Sequence, residues 1–226
     1  MTSQAVWWLR DLFRPIPWAG DFRPYFTIHD KDHDTLVNKK PPKAGLLLGV
    51  TNPFFAKACG HWPHILSLGT ILNCSRDTAT PAAGPPPGWV TKTHRRFSSK
   101  DRQMLQQMEN AFRSRPENLH EVSQTLRRHF SSRTAALLVP LNRYLNTLIP
   151  SPAEISREHS APHRLRPFSN THFLASLKAH GTPLPFRSSS KQRQFYEQWL
   201  RTPAFGLWLA KQEEIVSRVL LEKSHA

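Results

Sequence analysis

The sequence predicts a mostly α-helical α+β fold, in which a few strands in the first third precede an all-helical remainder. Three observations support this prediction. Short apolar runs with strand propensity alternate with a helix start between Tyr25 and Leu68. From Ser98 onward the apolar residues recur at helical spacing. A stretch rich in proline and glycine, 75–91, separates the two patterns and is typical of a linker.

The chain begins with 1–20, which we interpret as a lead-in segment because Pro15 and Pro17 interrupt its aromatic, helix-like start. Two strands are then predicted, one in the β-favouring run Tyr25–Ile28 and one in the continuous apolar run Gly45–Val50.

A short helix follows the second strand. Asn52 is placed to cap this helix, Pro53 occupies its first position, and the helix is expected to end near Gly60. A third strand is predicted in His64–Leu68. This strand, helix, strand succession predicts an α/β region over 21–74.

Helices fill the predicted second domain, 92–226. Start signals for three helices are Ser98 with Asp101, Ser114, and Ser169, and the third of these helices is expected to end at Gly181. Two more helices are predicted around Phe195–Leu200 and over Phe205–Leu220. Pro140 lies inside an apolar run and is expected to kink or divide its helix, because a proline lacks the N–H that the helix ladder needs. Trp208 is predicted to lie in the core.

Composition narrows the class of protein. The 226 residues carry a net charge of +15, which favours anionic partners such as phosphates or lipid headgroups. The longest apolar runs fall far short of the ~20 residues that a membrane-spanning helix needs. Two cysteines are too few for a disulfide framework, so we expect a reducing, cytoplasmic location.

Two clusters have residue types that can ligate metals, and neither has a metal-site spacing. They are His29, Asp30, Asp32, His33 and Asp34, and Cys59, His61, His64 and Cys74. The first lacks the glycine and glutamate of a calcium loop, and the second is interrupted by the extended Trp62-Pro63. We therefore interpret the first as a solvated turn and expect neither a metal nor a cofactor.

Motifs for catalysis do not support an enzyme in the chemical sense. The run Gly45–Val50 does not lead into the Lys-Ser/Thr ending of a phosphate-binding loop, and no Gly-x-Ser-x-Gly elbow occurs. The carboxylates are too scattered to nominate a catalytic pair. We therefore predict no catalytic residues.

Basic residues are concentrated between Lys92 and Arg133, with ten Lys or Arg against four Asp or Glu. Such a segment predicts a face for an anionic membrane surface or for nucleic acid, and a solvated helix face is the plainer alternative. No sequence-specific nucleic-acid motif accompanies it.

Several stretches together resemble the DENN domain-containing protein 6 family. They are Asp21–Asp30 (DFRPYFTIHD), Gly49–Lys57 (GVTNPFFAK), His61–Ile65 (HWPHI), Leu126–Phe130 (LRRHF), Val139–Tyr144 (VPLNRY) and Thr202–Trp208 (TPAFGLW). The resemblance extends in one order over roughly 20–222, and the first two stretches are its most specific parts.

The resemblance implies a guanine-nucleotide exchange factor for Rab-type small GTPases, acting in the cytoplasm on recycling endosomes. It also implies that 21–74 is the end of a central α/β lobe, that 92–226 is the helical lobe that follows, and that such a partial module has reduced activity. Partner-facing candidates by this resemblance are Asp21, Arg23, Thr51, Asn52 and Lys57.

Simpler explanations exist for several of these residues. Asn52 is also placed as a helix cap, and Phe54, Phe55 and Trp62 are expected to pack in the core. A cationic adaptor that binds an anionic surface without a GTPase remains the alternative function.

Overall fold

The computed structural model describes residues 2–69, 87–92, 97–99, 101–114, 119–151, 154 and 164–224. The chain divides into two compact units. The first unit comprises Met1–Arg10 and Gly20–Arg95, and the second comprises Asp11–Ala19 and Arg96–Ala226. Most of the predicted linker, 75–86, lies outside the described residues.

The first unit contains short helices and very short strands. They are α1 (Thr2–Asp11, whose last residue belongs to the second unit), β1 (Phe22–Arg23), α2 (His33–Leu36), β2 (Leu47–Leu48), α3 (Phe54–Ala58), β3 (His64–Ser67) and β4 (Gly88–Thr91). Within the part of this unit that the structure describes, the strands form two separate two-stranded sheets. In one sheet β1 runs parallel to β2, with Phe22 opposite Leu47, and in the other β3 runs antiparallel to β4, with His64 opposite Thr91.

The predicted strand Tyr25–Ile28 is wrong, because the strand lies earlier, in β1. Pro24 follows β1 immediately and has no N–H to donate to a ladder. The Asp30 carboxylate then accepts hydrogen bonds from the Thr27 N–H, at 2.6 Å, and from the Thr27 hydroxyl, at 3.0 Å, which closes a turn.

The other two strand predictions and the short helix are confirmed, with narrower bounds for the strands. β4 was not predicted, and it occupies the last residues of the stretch interpreted as a linker. Its pairing with β3 joins segments far apart in sequence, which periodicity within one segment does not indicate.

The core of the first unit contains Phe26, Leu36 and Phe55 as a buried cluster, with Val37 and Leu46 among the partly buried residues around it. Val6 of α1 is also buried. Residues 2–10, interpreted as a lead-in from the sequence, therefore contribute to the packing of this unit.

The second unit is helical. Its helices among the described residues are α4 (Arg102–Ser114), α5 (Leu119–Asn146), α6 (Asn170–His180), α7 (Ser189–Trp199) and α8 (Pro203–Ser224). The predicted start and stop of α6 are confirmed: the Ser169 hydroxyl accepts the His172 N–H, and Gly181 adopts φ 66° at the C-terminus. The mostly α-helical α+β class predicted from the sequence is therefore confirmed.

Helix α5 continues through Pro140 without division. Pro140 is itself buried, and Leu138 and Leu141 beside it lie in the core. Because tertiary packing on both sides of the proline stabilises the helical path, the missing hydrogen bond does not end the helix.

The core of the second unit is larger. Buried side chains from α5, α6, α7 and α8 form one cluster: Leu138, Leu141, Tyr144, Leu145, Phe173, Leu177, Tyr196, Phe205 and Trp208, with Ile16, Leu148 and Leu200 from adjoining segments. Trp208 packs on Phe205 with ring centroids 6.1 Å apart, which confirms its predicted core position. Ile16 comes from the start of the chain, so 11–19 takes part in this core.

Candidate partner-binding surface

The two stretches of sequence most typical of the family meet at the carboxyl ends of β1 and β2. The Gly49 N–H donates to the Arg23 carbonyl at 2.8 Å, and the Phe26 N–H donates to the Gly49 carbonyl at 2.9 Å. A Cβ at Gly49 would collide with the Pro24 carbonyl and come 2.8 Å from Val6 Cγ2. Only glycine permits this approach, which places the residues after β1 beside those after β2.

Arg23 lies at the centre of a charged network on this surface. Its Nε donates to Asp21 Oδ1 at 2.8 Å, and its Nη2 donates to Asp32 Oδ2 at 2.7 Å. The hydrogen bonds that Arg23 donates to these two carboxylates raise the pKa of Arg23 above its usual range. The guanidinium is therefore fixed in orientation, although all three side chains remain accessible to solvent.

The His29–Asp34 cluster divides its side chains among different partners. Hydrogen bonds from the Thr27 N–H and then from the Thr27 hydroxyl lower the pKa of Asp30. Asp32 pairs with Arg23, and Asp34 Oδ1 lies 2.9 Å from His33 Nδ1. Within the described ranges no three His, Cys, Asp or Glu residues converge as metal ligands.

The Cys59, His61, His64 and Cys74 set is likewise dispersed where the structure describes it. Cys59 is half-buried, and burial raises the pKa of its thiol. His61 Nε2 lies 3.1 Å from the Lys40 carbonyl, and His64 Nδ1 lies 3.4 Å from Thr91 Oγ1. Cys74 lies outside the described residues.

The predicted start of α3 is one residue early, because the N-cap position is Pro53. Asn52 still accepts the Phe54 N–H through its Oδ1 at 2.9 Å. Thr51 precedes Asn52 and Lys57 lies in the last turn of the helix, and both are exposed. The five candidates thus lie on β1 or its flank and on the β2–α3 segment. Among the described residues, no hydrogen bond or ion pair joins Lys57 to the Arg23 network.

Phe54 corrects one expectation, because it was predicted to pack in the core with Phe55 and Trp62. Phe55 and Trp62 are buried, whereas Phe54 is 52% exposed. Consecutive residues of a helix point about 100° apart, so two adjacent phenylalanines cannot both face one core. This spacing could have identified Phe54 as a surface aromatic from the sequence.

His33 lies among three aromatic rings at this surface. Its ring centroid is 6.1 Å from that of Phe54, 5.9 Å from that of Phe55 and 6.3 Å from that of Phe26. These contacts connect the half-exposed Phe54 with the buried cluster of the first unit. Phe54 is therefore a half-exposed ring whose position is fixed by its contacts with His33 and Phe55.

The described basic residues of the segment Lys92–Arg133 have different partners. Arg133 Nη2 contacts Asp101 Oδ2 at 2.6 Å, at the start of α4, and the Lys92 ammonium donates to the Gly60 carbonyl. Arg127 and Arg128 are exposed on α5 and lie on the helix face opposite Val122 and Arg133. Arg95, Arg96, Lys100 and Arg115 lie outside the described residues.

Each described helix is too short or too polar to cross a membrane. No family model matches the chain, and no solved structure matches it.

Curated relatives do match, over nearly the whole chain. Protein DENND6A of Gallus gallus is 30% identical over 229 residues, which cover 97% of this chain and 38% of the relative. Protein DENND6A of Mus musculus is 29% identical with 97% and 37% coverage. Protein DENND6B of Homo sapiens is 29% identical with 92% and 37% coverage.

This similarity makes the chain a DENN-type protein. More narrowly, it belongs to the DENN domain-containing protein 6 family. The chain spans less than two fifths of the length of each of these relatives.

Proposed function

We propose that this chain is part of a DENN-type guanine-nucleotide exchange factor and that it binds a Rab-type small GTPase in the cytoplasm, at endosomal membranes. Membership of the DENN domain-containing protein 6 family supports the class of activity. The main structural support is the meeting of residues 21–26 with 49–57, because two distant stretches form one surface of exposed polar groups and a half-exposed phenylalanine.

Exchange by such a factor is a binding process. The factor binds the nucleotide-free GTPase more tightly than the GDP-bound form, so binding weakens the hold on GDP, and GTP then refills the site. No group of the factor forms a bond to the nucleotide. The relevant properties of the surface are therefore shape, charge and preorganisation.

Three side chains are assigned to this binding. Phe54 supplies exposed apolar area, and aromatic side chains are among those that contribute most to binding. Arg23, held by Asp21 and Asp32, presents a fixed guanidinium edge that can pair with a carboxylate of the GTPase. Lys57 adds a positive charge at the rim, where it affects the association rate more than the affinity.

We expect exchange by this chain alone to be weak. A specific interface buries about 800 Å² on each partner, and the chain spans 37–38% of the length of the DENND6A relatives. The remainder of a full-length relative is expected to supply further contact area, so adding it in trans or as a fusion should increase the rate.

Binding to a panel of purified Rab proteins tests the surface. Phe54→Ala should weaken the interaction at least tenfold, about 1.4 kcal/mol, and Lys57→Glu should slow association. Lys178→Glu is a matched control, since Lys178 is an exposed lysine in the last turn of α6. Equal effects of Lys57→Glu and Lys178→Glu would assign the change to total charge and contradict the proposed surface.

Release of a fluorescent GDP analogue tests the activity. The chain alone should accelerate release weakly on its cognate Rab, and the added remainder of a relative should accelerate it strongly. Full-rate exchange by residues 1–226 alone would show that the active surface lies entirely within them. Lack of binding to every Rab in the panel, with or without the added part, would overturn the proposed function.

A further inference from the structure

The sheet formed by β3 and β4 exposes apolar side chains on one face. Leu66 lies directly opposite Trp89 in the antiparallel register, and Leu68 follows the last residue of β3. These three side chains are 41%, 57% and 43% exposed, respectively. Three large apolar side chains exposed on this two-stranded sheet and at its end form a patch that water solvates poorly.

A loop rich in lysine lies in the same unit. Lys39, Lys40 and Lys43 flank Pro41 and Pro42, and all three lysines are exposed. The prolines restrict the backbone of the loop, so the positive charges stay close together. None of these lysines makes an ion pair with another described residue.

Hydrogen bonds connect this loop to the base of the sheet. The Lys40 carbonyl lies 3.1 Å from His61 Nε2, just ahead of β3. The Lys92 N–H donates to the Pro63 carbonyl at 2.9 Å, where β4 ends, and the Lys92 ammonium donates to the Gly60 carbonyl. The lysine loop and the base of the β3–β4 sheet therefore meet along 60–63.

We propose that this lysine loop and the Leu66, Leu68 and Trp89 face together dock the chain on an anionic lipid bilayer. The lysines would contact lipid headgroups, while the apolar face would enter the boundary between headgroups and acyl chains. This inference does not depend on the GTPase-binding proposal, because none of its residues belongs to the surface around β1 and α3.

The composition of the patch favours lipid over the other anionic partners. Tryptophan is enriched at membrane interfaces because one end of its ring system is apolar and the other carries a polar N–H. Aliphatic side chains such as Leu66 and Leu68 gain from contact with acyl chains, whereas a nucleic-acid phosphate backbone offers them no comparable environment. Positive charge bordering an exposed apolar face is the combination that binds lipid surfaces.

Flotation with phospholipid vesicles tests the proposal on the full chain. Vesicles of phosphatidylcholine alone should bind little of the protein, whereas vesicles with about a quarter phosphatidylserine should bind it strongly. The binding to anionic vesicles should weaken as the salt concentration rises. The double variant Lys39→Glu/Lys40→Glu should weaken this binding by roughly tenfold or more. Equal binding to neutral and anionic vesicles would overturn the proposal.

The matched charge control is Arg127→Glu/Arg128→Glu, which changes the net charge by the same amount on the exposed face of α5. This control should keep most of the vesicle binding. If it lost as much binding as the lysine variant, the attraction would be a property of total charge and the proposed patch would be wrong.

The apolar face is tested with Trp89→Ser and Leu66→Ser, each checked for folding by circular dichroism. Leu207→Ser is the control, since Leu207 is an exposed leucine on α8. Both sheet variants should reduce vesicle binding several-fold at constant salt, and the control should not. If both sheet variants bound vesicles as well as the parent does, and a DNA duplex competed with the vesicles for the lysines, the surface would be assigned to nucleic acid. That result would overturn the lipid proposal.

Discussion

The two units of this chain are stabilised in different ways. In the second unit, aromatic rings contact one another in the core. The ring centroids are 5.1 Å apart for Tyr144 and Phe168, 5.2 Å for Phe168 and Phe205, and 5.6 Å for Phe173 and Tyr196. In the described part of the first unit, the buried cluster is Phe26, Leu36 and Phe55.

Polar contacts contribute much of the remaining order of the first unit, such as the Arg23 network and the Asp30 turn. The second unit buries the larger set of aromatic side chains, although Phe112 and Phe130 of that unit are exposed, as Phe54 and Trp89 of the first unit are. The larger buried cluster predicts that the second unit resists unfolding more than the first.

The largest effect is expected from Trp208→Ala, which removes a side chain that is 4% exposed. The lost contacts with Phe205 should lower the free energy of unfolding by about 3–5 kcal/mol. Urea unfolding measures this change. The neighbouring exposed Leu207→Ala should stay within about 0.5 kcal/mol of the parent, and equal midpoints for Trp208→Ala and the parent would show that this helix face is not in the core.

Phe55→Ala should have the next largest effect, at about 3 kcal/mol, and its effect should be confined to the first unit. Amide hydrogen exchange should show faster exchange in α3 and β2 and unchanged protection in α6 and α7. Phe54→Ala is the comparison, since its half-exposed ring should cost at most about 1 kcal/mol while it weakens GTPase binding. Uniform loss of protection in both units would contradict their separate stabilisation.

Tyr196 sharpens the comparison through pH. Burial raises the pKa of Tyr196 from 10.0 to about 12 in the folded chain, and the Tyr196 hydroxyl donates to the Leu137 carbonyl at 3.0 Å. A raised pKa means that the folded state favours the neutral phenol. The stabilisation of the folded state by the neutral phenol of Tyr196 is therefore present below about pH 10 and is lost as the pH rises towards 12.

The difference in unfolding free energy between the parent and Tyr196→Phe measures this contribution. The parent should lose roughly 2–3 kcal/mol more than the variant between pH 9 and 12. Tyr25→Phe is the control, because Tyr25 is among the most exposed aromatic residues. Parallel alkaline profiles for the parent and Tyr196→Phe would mean that the phenol ionises without cost in the folded chain.

The smallest effect is expected from two aspartates that play comparable roles in the two units. Hydrogen bonds from the Met104 N–H and the Arg133 guanidinium lower the pKa of Asp101, and bonds from Thr27 lower that of Asp30. Lowered pKa values mean that both contributions are present above about pH 4 and are lost as the pH falls.

Asp101→Asn should reduce resistance to acid unfolding of the second unit, because Asp101 joins α4 to α5 through Arg133. Asp30→Asn should change the first unit only, since its partner Thr27 lies three residues away. Acid titration followed by amide exchange separates the two. A shift of both units by either variant would contradict this assignment.

Local signals predicted much of the second unit. The Ser169 cap and the contact of Phe168 with Phe173, at 5.7 Å, are encoded within a few residues of each other, and the Gly181 stop is encoded by the glycine itself. Helical spacing also identified the buried positions Phe205, Trp208 and Leu220 on α8, although Ile215 and Val219 from the same pattern are exposed. A pattern indicates which face is apolar, and the number of neighbours decides how much of that face is covered.

The first unit was predicted less well, because its order depends on contacts between distant residues. The strand at Tyr25–Ile28 was misplaced since the Asp30 turn and Pro24 outweigh strand propensity. β4 could not be predicted without its partner β3. Among the candidate residues, Asn52 was recognisable from position alone as a hydrogen-bond acceptor at the start of α3, whereas the Arg23 link to Asp32 spans nine residues and needed the fold.

The position of Ile16 affects how the chain can be divided. Because Ile16 is buried in the second unit's core and 11–19 belongs to that unit, a fragment that starts at residue 96 would have a hole where Ile16 lies. A peptide of residues 11–19 would fill that hole and would bind to the fragment. In terms of fragment complementation, the helical unit consists of two pieces of chain. A single proteolytic cut between 92 and 97 would therefore not release the helical unit from residues 1–20, because 11–19 would stay bound to it.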